Sequence, residues 1–141
     1  MAQQVKALGH TLVICDGDPA APAFAFADSC LIADIRAPAD CAAAADRYSR
    51  KIRRIDGVLC LTDAPLTAAA VAERLRLPGL PMHVAELADD RLRLKRAFGS
   101  AGIATCWHAE IFTPQELQRA AIARANLVVK PVERRGAAFD D

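Results

Sequence analysis

Short apolar runs alternate along this chain with longer, alanine-rich stretches of mixed polarity. The runs TLVIC (residues 11–15), CLI (30–32), GVLCL (57–61) and NLVVK (126–130) are too brief for helices and suit buried parallel strands. Between them the pattern predicts helices. One ends over residues 3–8 and is closed by Gly9. Residues 22–27 read as a short helix or turn. A helix over 40–49 has Asp40 as its N-cap, and another over 66–76 rests on Val71 and Leu75 and stops at Leu77-Pro78-Gly79. Residues 84–100 read as one long helix ending in the Gly99–Gly102 segment, and residues 103–112 as extended chain. Thr113-Pro114-Gln115-Glu116 opens a further helix running to about residue 125. Thr is its cap, Pro its first position and Glu its third. Residues 133–141 are polar and read as a loose tail.

This order predicts an α/β fold with parallel strands and right-handed crossovers. Strands near 11–15, 30–32 and 58–61 are expected in one sheet. The pattern changes near Pro78–Met82, so a first domain over residues 1–82 and a second over 83–141 are expected. Doubly wound domains usually open with a strand and a glycine-rich turn. Here the first residues already read as helix and no GxGxxG is present, so the first strand is expected to be missing from this sequence.

Composition narrows the core and the partners. Aromatics are 5% of the residues, so the core must be built from Ala, Leu, Val and Ile. A net charge of +1 gives no electrostatic case for nucleic acid or for an anionic membrane surface. No apolar run approaches the roughly 18 residues of a membrane span, and MAQQVKALGH lacks the apolar stretch of a signal peptide. The five cysteines (15, 30, 41, 60 and 106) include no CxxC pair. Cys15 and Cys60 lie in apolar runs, where a free Cys acts as a small hydrophobe. A reducing, cytoplasmic setting follows. His10, His83 and His108 are far apart in sequence, and no metal site is assigned to them. Tyr48 and Trp107 read as packing residues, and the basic run 50–54 as a solvated helix end. Asp16-Gly17-Asp18-Pro19 reads as a turn, with Asp16 and Asp18 either forming it or meeting a substrate or ribose.

Three segments resemble the ATP-grasp superfamily. GHTLVICDGDPAAPAFAFAD (residues 9–28) is similar to the second strand and loop of the domain preceding the ATP-grasp fold in biotin carboxylase, carbamoyl phosphate synthetase and the purine carboxylases. IDGVLCLTD (55–63), a helix and RLPGLP follow. The third segment is ADDRLRLKRAFGSAGI (88–103), with TPQEL and LVVKP downstream. In the family an Asp-Lys or Asp-Arg pair opens a helix ending in Ala-Gly-Ile or Ala-Gly-Val, and a strand carrying Val-Lys-Pro comes one helix later. The resemblance implies a parallel-sheet, Rossmann-like pre-ATP-grasp domain followed by the first, incomplete part of an ATP-grasp lobe. It also implies that Arg91 and Lys130 hold ATP phosphates in one cleft and that Gly136 begins the loop folding over them.

The residues suit that chemistry. Arg91 and Lys95 are four apart and share a helix face with Leu87, Leu94 and Phe98. Lys95 joins the ATP-binding candidates there, or covers apolar surface. An Arg can hold a phosphate through two parallel hydrogen bonds, and Lys130 at a strand end stands where open α/β sheets carry ligand groups. The parent activity implied is an ADP-forming ligase or carboxylase that activates a small carboxylate as an acyl phosphate, using ATP and Mg²⁺. The resemblance puts the Mg²⁺ ligands beyond residue 141, so the chain alone is expected to bind phosphates at most and to lack catalysis. A homodimer and a missing second segment are both open arrangements. The alternative is a non-catalytic nucleotide- or protein-binding α/β module. A dinucleotide-binding Rossmann domain is disfavoured by the absent glycine fingerprint.

Overall fold

The computed structural model describes residues 2–124 and 126–130. They form a mixed α/β chain with six α-helices, one 3₁₀ turn and a two-stranded parallel sheet among the described residues. The elements are α1 (Ala2–Ala7), β1 (Val13–Asp16), the 3₁₀ turn (Pro22–Phe26), β2 (Ser29–Ile32), α2 (Pro38–Lys51), α3 (Pro65–Leu75), α4 (Met82–Asp89), α5 (Arg91–Ser100) and α6 (Pro114–Ala123). The chain divides into two compact units, Met1–Glu86 and Leu87–Asp141.

In the first unit β1 and β2 pair in parallel, Val13 opposite Ser29 through Asp16 opposite Ile32. One face of this ribbon is covered by α2 and α3. Their contact is built from small side chains: Cys41, Ala42 and Ala45 of α2 and Val71 of α3 form the buried cluster. Cys15, Leu31, Ile55 and Val58 pack against it. With so few large apolar residues, close helix approach through alanines supplies the dense contact that a core requires. Polar ties fix the layers. Tyr48 donates to Ser29 Oγ at 3.0 Å, joining α2 to β2, and Thr67 donates to the Ile35 carbonyl at 2.6 Å. Asp46, buried on α2, accepts from Arg50 at 2.8 Å and from Arg74 of α3 at 2.9 and 3.2 Å. Asp28 accepts from the Leu12 amide and from Lys6, both at 2.8 Å, and so pins the end of α1 beside the start of β2.

Helix ends follow local chemistry. Gly9 takes φ +79° just after α1, as its position in the sequence predicts. After α3, Arg76 adopts the left-handed conformation at φ 54°, and Leu77 N–H reaches back to the Ala72 carbonyl at 2.8 Å. A non-glycine residue is strained there. The next turn needs Gly79: a Cβ at that position would lie 2.6 Å from the Ala72 Cβ.

Several expectations are corrected. Residues 57–61 form no ladder, and the described sheet has two strands rather than three. Val58 touches the core while Leu59 and Leu61 stay more than 60% exposed, so the run is held by α2 and α3 and, among the described residues, by no neighbouring strand. Asp40 is not the cap of α2. The helix starts two residues earlier with Pro38, and Asp40 lies within its first turn, where a carboxylate still favours the helix dipole. The expected long helix over 84–100 is two helices. Asp90 breaks it by taking extended backbone (φ −92°, ψ 104°) and capping α5 with its own side chain. Asp18 N–H bonds Asp16 Oδ1 at 2.9 Å and Ala20 N–H bonds Asp18 Oδ1 at 2.8 Å, so these two aspartates form the turn. The structure also brings together two cysteines remote in sequence, Cys15 and Cys41, at 3.6 Å between sulfurs. Burial, with the neighbouring Cys15, pushes the Cys41 thiol up to about 12.

Candidate nucleotide-phosphate site

The basic residues singled out from the sequence lie in the second unit, and α5 carries two of them. Its ends are set by strong local signals. The Asp90 carboxylate accepts from the amides of Leu92 and Arg93, both at 2.9 Å. At the other end Gly102 takes φ +69° and Ile103 N–H bonds the Phe98 carbonyl at 2.9 Å. That is the Schellman arrangement, in which a residue without Cβ turns the chain left-handed. The Asp-Arg opening and the Ala101-Gly102-Ile103 close are therefore a cap and a stop.

Arg91 is the first residue of α5 and Lys95 lies one turn later, both half-buried. They share a helix face with Leu94 and Phe98, which are half-buried as well. Leu87, expected on that face, belongs instead to α4. Lys95 donates to the hydroxyl of Thr105 at 3.1 Å. A hydroxyl orients the ammonium without neutralising it, so the positive charge remains available to an anion. Arg96, on the exposed side of the same helix, is by contrast paired with Glu110 at 3.2 Å. Asp90 already occupies the amides of the first turn, so an anion at this helix would be held by side chains and not by backbone N–H groups.

Lys130 is exposed and belongs to residues 126–130, which form no strand. Val128 is 81% and Val129 65% exposed, so the expected buried strand ending in Lys130 is not present among the described residues. An isolated apolar run gains nothing as a strand without a neighbour to take its backbone hydrogen bonds. Gly136 lies outside the described residues. The structure thus joins Arg91 and Lys95 on one helix face, and leaves Lys130 on a separate irregular segment. Thr105 was missed from sequence because the extended stretch 103–112 gives no periodic signal. Asp90 as cap was missed too, because residues 84–100 read as one helix; the signal that could have found it is an Asp directly before Arg-Leu-Arg-Leu. Trp107 is half exposed and stacks with the Arg124 guanidinium, 4.1 Å from its ring centre. Among the described residues no three His, Cys, Asp or Glu side chains are grouped as a metal ion would require, and no helix is long and apolar enough to cross a membrane.

No protein-family model matches the chain, and no curated protein matches it. Among solved structures, the crystal structure of N5-carboxyaminoimidazole ribonucleotide synthetase from Thermus thermophilus, an ATP-grasp enzyme, is similar to it. The TM-score is 0.58 and the sequences are 24% identical. The likeness covers 86% of this chain and 32% of that one, so this chain spans about a third of the length of the enzyme it resembles. At this identity the likeness establishes a shared fold alone: a mixed α/β chain with a parallel strand pair, like the corresponding part of that structure.

Proposed function

We propose that this chain is the N-terminal portion of an ATP-grasp, ADP-forming ligase, and that its second unit contributes the phosphate side of the nucleotide site. The observation carrying this reading is the half-buried Arg91 and Lys95 pair on α5, with Lys95 held by a neutral hydroxyl, in a chain whose fold is like that of an ATP-grasp enzyme. Arg91 offers a bidentate fork to phosphate oxygens, and Lys95 a point charge. Lys130 joins them on this reading, and Gly136 begins the loop over the phosphates. In the parent reaction a carboxylate oxygen attacks the γ-phosphorus of ATP, ADP leaves, and an amine or similar nucleophile then displaces phosphate from the acyl phosphate. Positioning and charge neutralisation dominate such transfers. The described carboxylates are not grouped as a Mg²⁺ site requires. The large exposed side chains of the second unit, Ile103, Phe112, Ile122 and Val128 among them, support completion of this lobe by further polypeptide.

The test is titration of the chain with ATP by calorimetry. We expect a dissociation constant of about 1 mM, since an open half-site leaves the base in water. Arg91→Ala, Lys95→Ala and Lys130→Ala should each weaken it several-fold, with no ADP release above background. Binding indifferent to all three substitutions would overturn the assignment. Turnover near about 1 per second, within the ordinary enzyme range and abolished by Lys130→Ala, would overturn the reading of this chain as an inactive portion.

A further inference from the structure

The first unit carries a groove of its own. It has a volume of about 520 Å³ and runs along the outer edge of β2, between Ser29–Ile32 and the α2 residues Ala44, Arg47, Tyr48 and Lys51, with Ile52 at its end. Three observations converge on it.

The first is backbone. Ser29 N–H and Ala33 N–H donate to the carbonyls of Leu12 and Asp16, at 3.4 and 3.1 Å. Successive residues of a strand direct their polar groups to opposite edges. Cys30 and Ile32 therefore turn their N–H and C=O groups to the far edge, where β2 has no neighbour among the described residues. The second is apolar surface. Cys30 is exposed and Ile32 is 55% exposed, on the face of the ribbon away from α2, and Ile52 is 72% exposed. The third is charge. Arg50 and Arg54 are neutralised by Asp46 and Asp56. Arg47 and Lys51, the two cations that line the groove, are exposed and have no carboxylate partner among the described residues.

We propose that the outer edge of β2 is a strand-addition site for an acidic extended segment of a partner protein. Arg47 and Lys51 are one helical turn apart, about 5–6 Å between Cβ atoms. Carboxylates two residues apart on a strand are separated by about 6.6 Å and can meet both. The segment then alternates. Its acidic side chains face α2, and its apolar side chains lie beside Cys30 and Ile32 on the other face. Main-chain hydrogen bonds to Cys30 and Ile32 supply affinity, and the alternation supplies specificity. Within the 47–54 stretch, Arg50 and Arg54 are thus internally paired, Arg47 and Lys51 face the ligand, and Arg53 lies outside the groove.

The experiment uses the whole chain and a fluorescein-labelled heptapeptide alternating valine and glutamate, with the valine–lysine counterpart as control. We expect saturable binding of the acidic peptide only, weakened at least about tenfold by the double variant Arg47→Glu/Lys51→Glu, the size expected for loss of two charge-assisted contacts. Arg53→Glu, outside the groove, should leave binding unchanged. Hydrogen exchange should slow at the amides of Cys30 and Ile32 when the peptide is bound, which diffuse ion pairing would not cause. Both charge-reversed side chains are exposed, so the fold should persist, and circular dichroism checks it. Equal binding of the lysine peptide, indifference to the double variant, or binding without protection of those two amides would each overturn the proposal. So would sedimentation showing that a second copy of the chain already occupies this edge.

Discussion

The two units of this chain reach their structures by different routes. In Met1–Glu86, helices α2 and α3 bury Cys41, Ala42, Ala45 and Val71 against one another and against one face of β1 and β2. In Leu87–Asp141 no described residue is fully buried, yet α5 and α6 have some of the best-formed ends in the molecule. Thr113 and Glu116 make a complete capping box, with Thr113 Oγ accepting from Glu116 N–H at 3.2 Å and Glu116 accepting from Thr113 N–H at 3.2 Å. Packing organises the first unit and local hydrogen bonding the second. Helix boundaries can thus be sharply specified where the surrounding apolar surface is still open.

The sharpest way to break the contrast is to overpack each unit in the same way. Ala45→Leu adds atoms to a cluster with no room and should cost about 2–3 kcal/mol. Ala121→Leu, on the exposed surface of α6, should change stability by less than about 0.5 kcal/mol. Chemical denaturation followed by circular dichroism measures both, and equal effects would mean that the second unit has a core of its own.

A smaller effect is expected at the α3 exit. Gly79→Ala sets a methyl group 2.6 Å from the Ala72 Cβ and should cost about 1–2 kcal/mol. Arg76→Gly relieves a left-handed arginine and should stabilise by up to about 1 kcal/mol, read as a raised denaturation midpoint.

In the second unit the caps are the sensitive points. Asp90→Ala and Thr113→Ala should each cost about 1 kcal/mol of local helix stability. Hydrogen exchange should speed in α5 or α6 respectively and stay unchanged in α2 and α3. If α2 exchanged faster too, the units would not be energetically separate.

These outcomes bear on what was legible beforehand. Helix ends written in short motifs were readable: Gly9 and Thr113-Pro114-Gln115-Glu116 perform as the sequence predicts. The parallel pair at 13–16 and 29–32 was readable too, because buried strands of this type are brief apolar runs. The runs at 57–61 and 126–130 are brief and apolar as well and form no strand among the described residues, since a strand exists only with a partner that its own sequence does not supply. Of the candidate site, the pairing of Arg91 with Lys95 follows from helical spacing alone. The Thr105 contact does not, because it joins a helix to irregular chain ten residues on.

The smallest effects are on titration. Arg74, then Arg50, hold the Asp46 carboxyl below its usual value of 3.8, and the Leu12 amide followed by Lys6 does the same for Asp28. A depressed carboxylate stabilises the fold above its unfolded value and loses that contribution as pH falls through the folded one. First-unit stability should therefore decline below about pH 4, and Asp46→Asn should flatten the decline. Cys41 has the opposite sign. A thiol raised from 9.0 to about 12 favours the native state less as pH climbs above 9.0, and alkylation near neutral pH should modify the exposed Cys30 and Cys106 while sparing Cys41.

The sequence by itself determined the alternation of helix with short apolar run, the caps and stops at several helix ends, and the basic pair on α5, because each depends on residues within a turn or two of one another. The tertiary structure decided which apolar runs became strands, which charges were neutralised and which stayed open, and how an alanine-rich core could close. Those outcomes depend on neighbours remote in sequence: Asp46 meets Arg74 across 28 residues, and β2 lacks a neighbour on its outer edge among the described residues.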